Sequence, residues 1–343
     1  SVQQVYGRIM EDLDEAITLL TGASARADKA EISVEVAYGL RARANLLMGK
    51  WAAAASDAAK AYGTSAPYSV ADVSQPTFYN ATDNAWIWGI VVTTEDYLAK
   101  TGIVNWPSNL CSLTGMGYTT AASATDVAYR LINKNLWAKI PETDVRKGWW
   151  VDEDLHSPVL DNGLGEDYAY YWANGMFNGG TFPSKFSPYT NVKFGPDNGT
   201  FADTDNAQDW PLMRVEEMKL IEAEALGRDN LATGKQKLEE FVRQYRDPSY
   251  TCTAGSLDAF IDEVWFQRRV ELWGEGFALF DILRLKKPII RQGANYPINS
   301  TFAEIAAEAP IMIYRIPEAE TSVNSAITEA DNNPAAMAPT PVN

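Results

Sequence analysis

The chain reads as an all-α protein, built of helical hairpins stacked into an α-α superhelix, with long irregular loops and little β-structure. Three observations predict this. Several windows repeat apolar residues at i, i+3, i+4 and i+7, the spacing that puts one stripe of a helix toward a core. Pairs of such windows are joined by short turns containing Gly, with Ala at the facing positions. Residues 63–125 and 141–209 have no such period and are rich in Gly, Asn, Asp, Thr and aromatic residues.

The elements follow in order. Residues 2–20 place Val5, Ile9, Leu13, Ala16, Ile17 and Leu20 on one face, with Glu11, Asp12, Asp14 and Glu15 elsewhere. After a polar connector, residues 32–48 form a helix rich in Ala and Leu, Gly49 and Lys50 turn tightly, and residues 51–62 form a third helix. This pair resembles a tetratricopeptide unit. Counting from Ala37, Gly49 falls at the turn position, Trp51 at the aromatic position, and Ala54 and Ala61 at the small positions that let antiparallel helices approach. Residues 2–20 then resemble the second helix of a similar unit, whose first half would precede Ser1.

Residues 85–92 (AWIWGIVV) predict a short strand or buried extended segment, with at least one of Trp86 and Trp88 in the core. Residues 126–137 predict a helix with Asp126 near its N-cap. Residues 141–209 read as loop. Residues 211–245 predict a second helical hairpin, with Gly227 and Gly234 near its turn. Leu257, Phe260, Ile261, Val264, Trp265 and Leu272 form the stripe of a further helix, which Gly274 and Gly276 interrupt. Residues 277–285 predict a short helix with Phe277, Phe280 and Leu283 inward. From Gly293 onward the tail is irregular, and its last dozen residues read as loosely tethered.

At 343 residues and 46% hydrophobic content the chain can bury a sizeable core. The net charge of −16 argues against nucleic-acid binding, which needs basic patches, and against adhesion to anionic lipid. Cys111 and Cys252 belong to no metal or redox motif, and whether they bond to each other is open. The lone histidine, His156, sits in a polar stretch that reads as exposed loop, so a His-based metal site or catalytic triad has little to stand on. No apolar run reaches the roughly 18 to 20 residues of a membrane helix. No cofactor motif is present. A calcium site in the loop 197–209 would use Asp203, Asp205 and Asn206, but the spacing is not that of an EF-hand and a plain acidic loop is the simpler expectation.

Residues 268–287 read RRVELWGEGFALFDILRLKK. Arg268, Arg269, Glu271, Glu275, Asp281 and Arg284 would form a buried charge network between two helices, each partner holding the other. Arginine neighbours would keep Glu275 and Asp281 ionised, which disfavours them as a catalytic acid pair. The stretch resembles the C-terminal motif of the SusD/RagB family through Arg268, Arg269, Glu271, Leu272, Glu275, Gly276, Phe280, Asp281 and Arg284, and departs from it at Ala278, where that family usually has Arg. Arg214, Glu217, Leu220, Ala223, Glu224 and Ala225 match a second segment of the family, and Ile316, Pro317, Glu320 and Asn324 its closing one.

The resemblance implies a single SusD-like domain over residues 1–343, being the C-terminal two-thirds of such a protein. Its parts are tetratricopeptide-like helices over 1–62, a loop-rich insertion with binding aromatics over 63–209, a helical region over 210–324 and a tail over 325–343. It implies a surface glycan-binding lipoprotein of the outer membrane. Such a protein hands its ligand to a TonB-dependent transporter and is held by a lipid anchor that this chain lacks. It implies no catalysis. A peptide-capturing member of the same family and a tetratricopeptide adaptor are the alternatives, and a glycosidase is the enzyme reading, for which no carboxylate pattern speaks.

Sugar rings stack their C–H faces on aromatic rings while amides and carboxylates bond their hydroxyls. The densest aromatic cluster is Tyr168, Tyr170, Tyr171 and Trp172, followed by Asn174; Trp149 and Trp150 precede it in a polar stretch. These seven are the candidate ligand contacts. Tyr79, Trp86, Trp88 and Trp106 are further loop aromatics, whereas Trp51, Trp265 and Trp273 sit on helices as packing residues.

Overall fold

In a computed structural model of the chain, the residues described are 1–97, 99, 110–113, 130–176, 185–203, 205–296 and 304–335. Trp106 and Asp126 lie outside them. The elements are α1 (Val2–Leu20), α2 (Val34–Leu47), α3 (Trp51–Tyr62), β1 (Trp86–Ile90), α4 (Pro158–Leu164), α5 (Glu166–Ala173), β2 (Trp210–Arg214), α6 (Val215–Asp229), α7 (Leu231–Tyr245), α8 (Leu257–Glu271) and α9 (Ala278–Arg284). The protein is helical, as the periodicity predicts. The described residues divide into two compact units, Ser1–Ile132 with Leu136–Glu275, and Asn133–Asn135 with Gly276–Asn343.

In the larger unit α1 opens with a capping box. The Ser1 hydroxyl accepts from the Gln4 amide, and the Gln4 side chain accepts from the Ser1 amino group. Its apolar stripe is not the buried face expected: only Ile17 is buried, and Val5 and Ile9 are exposed. The α2–α3 hairpin is as read from the sequence. Gly49 turns it at φ +72°, a conformation that side chains resist. Ala42, Ala54, Ala58 and Ala61 are buried in the seam, and Arg41 grips Asp57 through two 2.8 Å bonds.

α3 packs on α6, and α6 on α7. The α6–α7 turn belongs to Asn230, whose side chain accepts from the Thr233 amide. Gly227 and Gly234, which flank that turn as expected, also lie where the helices touch. A Cβ on Gly234 would sit 2.3 Å from the Gly227 Cα. The helices therefore meet backbone to backbone, which only glycine allows.

β1 and β2 pair antiparallel, with irregular register around Trp88. Trp86 is buried and donates from its indole to the Tyr68 hydroxyl (2.7 Å). Residues 141–209, read as loop, hold α4 and α5. Ser157 caps α4 and Pro158 begins it, a start signal present in the sequence. Gly165, at φ +81°, separates the two helices.

Two hydrophobic clusters result. One is aliphatic and lies among the hairpins, with Val36, Ala54, Ala58, Met213, Met218 and Ile221. The other is aromatic and gathers Phe78, Trp86, Trp149, Trp150, Trp172 and Phe194 from the loop-rich region. Phe78 and Trp149 meet edge to face at 5.5 Å. The loop-rich region is thus folded around its own core. Cys111 and Cys252 are separate buried thiols, not a disulfide.

In the smaller unit α9 is shorter than expected, and Phe280 is 62% exposed rather than inward; the buried residue of the helix is Asp281, paired with Arg284 at 2.8 Å. Ile289–Ile290 pairs antiparallel with Glu304–Ile305. Asn332 ties residues near the end of the chain to Ile316, accepting from its amide (2.9 Å) and donating to its carbonyl (3.1 Å). Among the described residues no helix is long and apolar enough to cross a membrane.

Candidate functional site

The C-terminal motif contributes Glu271 and Glu275 to a buried ionic cluster that also draws on residues outside the motif. The Glu271 carboxylate accepts from Arg246 (2.7 and 2.8 Å) and Arg146 (3.3 Å). Glu275 accepts from Lys193 (2.7 Å) and twice from Arg214 (2.8 Å each). Glu216 joins through Arg246 and Arg214, and Asp144 grips Arg146. Four cations (Arg146, Lys193, Arg214 and Arg246) thus face four carboxylates (Asp144, Glu216, Glu271 and Glu275), all with buried side chains. Of the residues expected in this network, Arg269 lies over the Trp265 ring at 4.8 Å and Asp281 pairs with Arg284. Arg268 is buried.

Burial pushes the Glu271 carboxyl up, but Arg246, Arg214 and Arg146 outweigh it and hold it well below the usual carboxylate range. Glu275 is held low in the same way by Arg214 and Lys193. Neither has a proton to donate near neutral pH, so these two carboxylates act as anchors for the surrounding cations rather than as general acids. Burial lowers the Lys193 ammonium to about 8, against the pull of Glu275. Between that value and the ordinary 10.5 the unfolded chain binds the extra proton, so this residue makes stability rise with pH there. Urea unfolding between pH 8 and 10 should show a flatter pH dependence in Lys193→Met than in the parent; equal slopes would show that Lys193 titrates normally.

The cluster also explains where the predicted tryptophans go. Arg146 lies in the first turn of the short 3-10 helix Val145–Trp149, where its amide donates to the capping Asp144 side chain. Anchoring Arg146 inside pulls Trp149 and Trp150 after it. Both are buried, with Trp149 donating to the Val73 carbonyl at 3.0 Å, so neither offers a ring face to solvent. Trp172 is buried too and donates to the Ser112 carbonyl at 3.2 Å. The physical reason is the helix: Ala169, Trp172 and Ala173 form the inward stripe of α5 at i, i+3 and i+4. That stripe turns the tyrosines out. Tyr168, Tyr170 and Tyr171 are 59, 56 and 47% exposed. Tyr170 and Tyr171 meet edge to face at 6.0 Å. Asn174 ends the helix, its amide donating to the Tyr170 carbonyl at 3.0 Å. The period was visible in the sequence and separates Trp172 from its neighbours.

Tyr170 and Tyr171 border a cavity of about 240 Å³ whose rim carries Asp154, Asp161, Glu166 and Asp167. His156, also on this rim, is not a bare surface residue: its Nε2 lies 2.6 Å from Asp161 Oδ2. Glu166 and Asp167 lie in the first turn of α5, where the helix dipole favours them. Rings beside acceptors form the chemistry that grips polyhydroxylated ligands. At the loop considered for calcium, the Asp203 carboxylate accepts from the Asp205 amide and Asn206 is buried; among the described residues no group of three or more His, Cys, Asp or Glu side chains is placed to hold a metal.

Helical hairpins joined to a loop region with its own aromatic core define the class: a superhelical scaffold that presents rings from a short surface helix. The model of the SusD family matches residues 133–334, more than half of the chain, and the chain belongs to that family. Solved structures agree in fold. A SusD-like carbohydrate binding protein from Bacteroides vulgatus is 21% identical with a TM-score of 0.70, over 98% of this chain and 67% of that one. A SusD superfamily protein from Bacteroides thetaiotaomicron is 22% identical with a TM-score of 0.68, over 97% of this chain and 66% of that one. This chain spans about two thirds of their length. Among curated proteins no sequence matches.

Proposed function

We propose that this chain belongs to a non-catalytic, cell-surface glycan-binding protein, one SusD-like domain that captures oligo- or polysaccharide on the tyrosines of α5. In this reading the full-length protein is held at the outer membrane by a lipid anchor and delivers its ligand to a TonB-dependent transporter. The observation that carries the reading is the outward display of Tyr168, Tyr170 and Tyr171 beside a cavity rimmed with hydrogen-bond acceptors, in a chain of the SusD family. The description of the Bacteroides vulgatus structure as carbohydrate binding supports it. In this reading the tyrosines and Asn174 touch the ligand, and Trp149, Trp150 and Trp172, buried as they are, shape the core beneath.

The test is calorimetric titration of the protein with a polysaccharide panel, followed by Tyr170→Ala and Tyr171→Ala. Each substitution is expected to weaken binding about tenfold, the usual loss when a central aromatic contact is truncated. Full affinity in both variants would remove the tyrosines from the site. A second reading has one observation in its favour: four carboxylates at the rim suit a basic peptide. Binding of a lysine-rich peptide in place of every polysaccharide would select it.

A further inference from the structure

Charge around the tyrosine platform is one-sided. Residues 152–184 carry six carboxylates and no Lys or Arg, within a chain whose net charge is −16. Two of the six serve the local fold. The Asp152 carboxylate accepts from the amides of Asp154 and His156 (2.9 Å each), and Glu153 accepts from the Tyr189 hydroxyl (2.7 Å). The other four, Asp154, Asp161, Glu166 and Asp167, line the cavity beside Tyr170 and Tyr171. Asp161 meets His156, the one lining residue able to carry positive charge. Asp154, Glu166 and Asp167 are exposed, and among the described residues none of them is paired with a cation.

The backbone beneath these three is held in place. The Asp152 amide donates to the His156 carbonyl at 2.9 Å, closing the loop that carries Asp154, and Glu166 and Asp167 belong to the first turn of α5. An arriving uronate or sulfate would bring like charge against them, with no Lys or Arg in the lining to receive it. An ammonium would meet the reverse, carboxylates together with tyrosine rings whose π electrons attract cations. Uncharged hydroxyls can donate to the same carboxylates.

We propose that the rim makes the tyrosine platform select its glycan by charge, taking neutral and amine-bearing sugars and turning away those that carry carboxylate or sulfate groups. Asp154, Glu166 and Asp167 are the residues that set this specificity. The proposal rests on the glycan reading of the platform and narrows its ligand class.

The experiment takes the neutral polysaccharide that binds most tightly and compares three forms of it at neutral pH: unmodified, sparsely carboxymethylated and sparsely aminoethylated. At low salt the aminoethyl form should bind about tenfold more tightly than the carboxymethyl form, and the gap should shrink to about twofold in 1 M salt, where charges are screened beyond about 3 Å. The triple variant Asp154→Asn, Glu166→Gln, Asp167→Asn should close the gap at low salt. Asp154→Asn alone, outside the helix, should narrow it, which keeps the test decisive should loss of both first-turn acids unfold α5. An equal change of net charge at exposed positions of α1, Glu11→Gln with Asp12→Asn and Glu15→Gln, should leave the gap open. Equal affinity for the two charged forms, a gap that survives the rim variants, one that the α1 variant closes as well, or binding of anionic polysaccharides alone overturns charge selection by the rim. If Tyr170→Ala still weakens binding of the unmodified polymer, the glycan reading stands without it. No binding of any polysaccharide overturns both.

Discussion

Replacing Glu271 with alanine will cost about 3–5 kcal/mol of stability, the usual result of removing one partner from a buried ion pair. The reason is geometric. Arg246, Arg146 and Arg214 all converge on this one carboxylate, and their side chains are buried with it. Without it, eight balanced charges become a cationic excess where water cannot reach. The surface pair Arg8–Glu11 is the contrast: both side chains are 71% exposed, and Glu11→Ala should change stability by less than about 0.5 kcal/mol. Chemical denaturation followed by circular dichroism compares the two. A Glu271→Ala protein within about 1 kcal/mol of its parent would show that the cluster contributes little beyond its own desolvation.

The next largest loss is expected from Gly234→Ala. The new Cβ would lie 2.3 Å from the Gly227 Cα, 2.6 Å from its N and 2.9 Å from the Ala223 carbonyl oxygen. All three are backbone atoms, so no rotamer change relieves them and α7 must move off α6. Overpacking of this kind costs about 1–3 kcal/mol, and the rigid neighbours put this case at the upper end, less the gain of up to about 1 kcal/mol that alanine brings to a helix. Gly7→Ala is the control. Gly7 lies within α1 with nothing within 4 Å of its would-be Cβ, so there the substitution should stabilise. If both variants shifted the melting temperature the same way, helix propensity rather than helix contact would govern Gly234.

These two sites show where reading the sequence stops. Gly227 and Gly234 stand near a turn in the chain, and turn is what glycine ordinarily signals. That they are a contact follows only once two helices cross. Likewise Glu271 and Glu275 stand out in a motif, but Lys193 and Arg246 belong to none, and the partners of Glu271 lie 25 to 125 residues away along the chain. Nothing in linear spacing encodes which distant arginine meets a carboxylate. A faint signal existed for Arg146 and Lys193, each a cation inside an aromatic and aliphatic run (VRKGWWV and NVKFG).

The candidate site divides the same way. By itself the sequence determined that the protein is helical, that α2 and α3 form a hairpin with Gly49 at its turn, that the chain carries the SusD-type segments, and that Tyr168 to Trp172 is its densest aromatic cluster. Those features are local, set by period, turn chemistry and the order of short motifs. Only the tertiary structure decided which aromatics face water. Trp149 and Trp150 lie in a polar stretch and still enter the core, because Arg146 beside them is drawn to Glu271, and Tyr170 and Tyr171 stay outside because Ala169, Trp172 and Ala173 take the inner face of their helix. Burial is a property of what packs on a residue, and that is settled by distant parts of the chain.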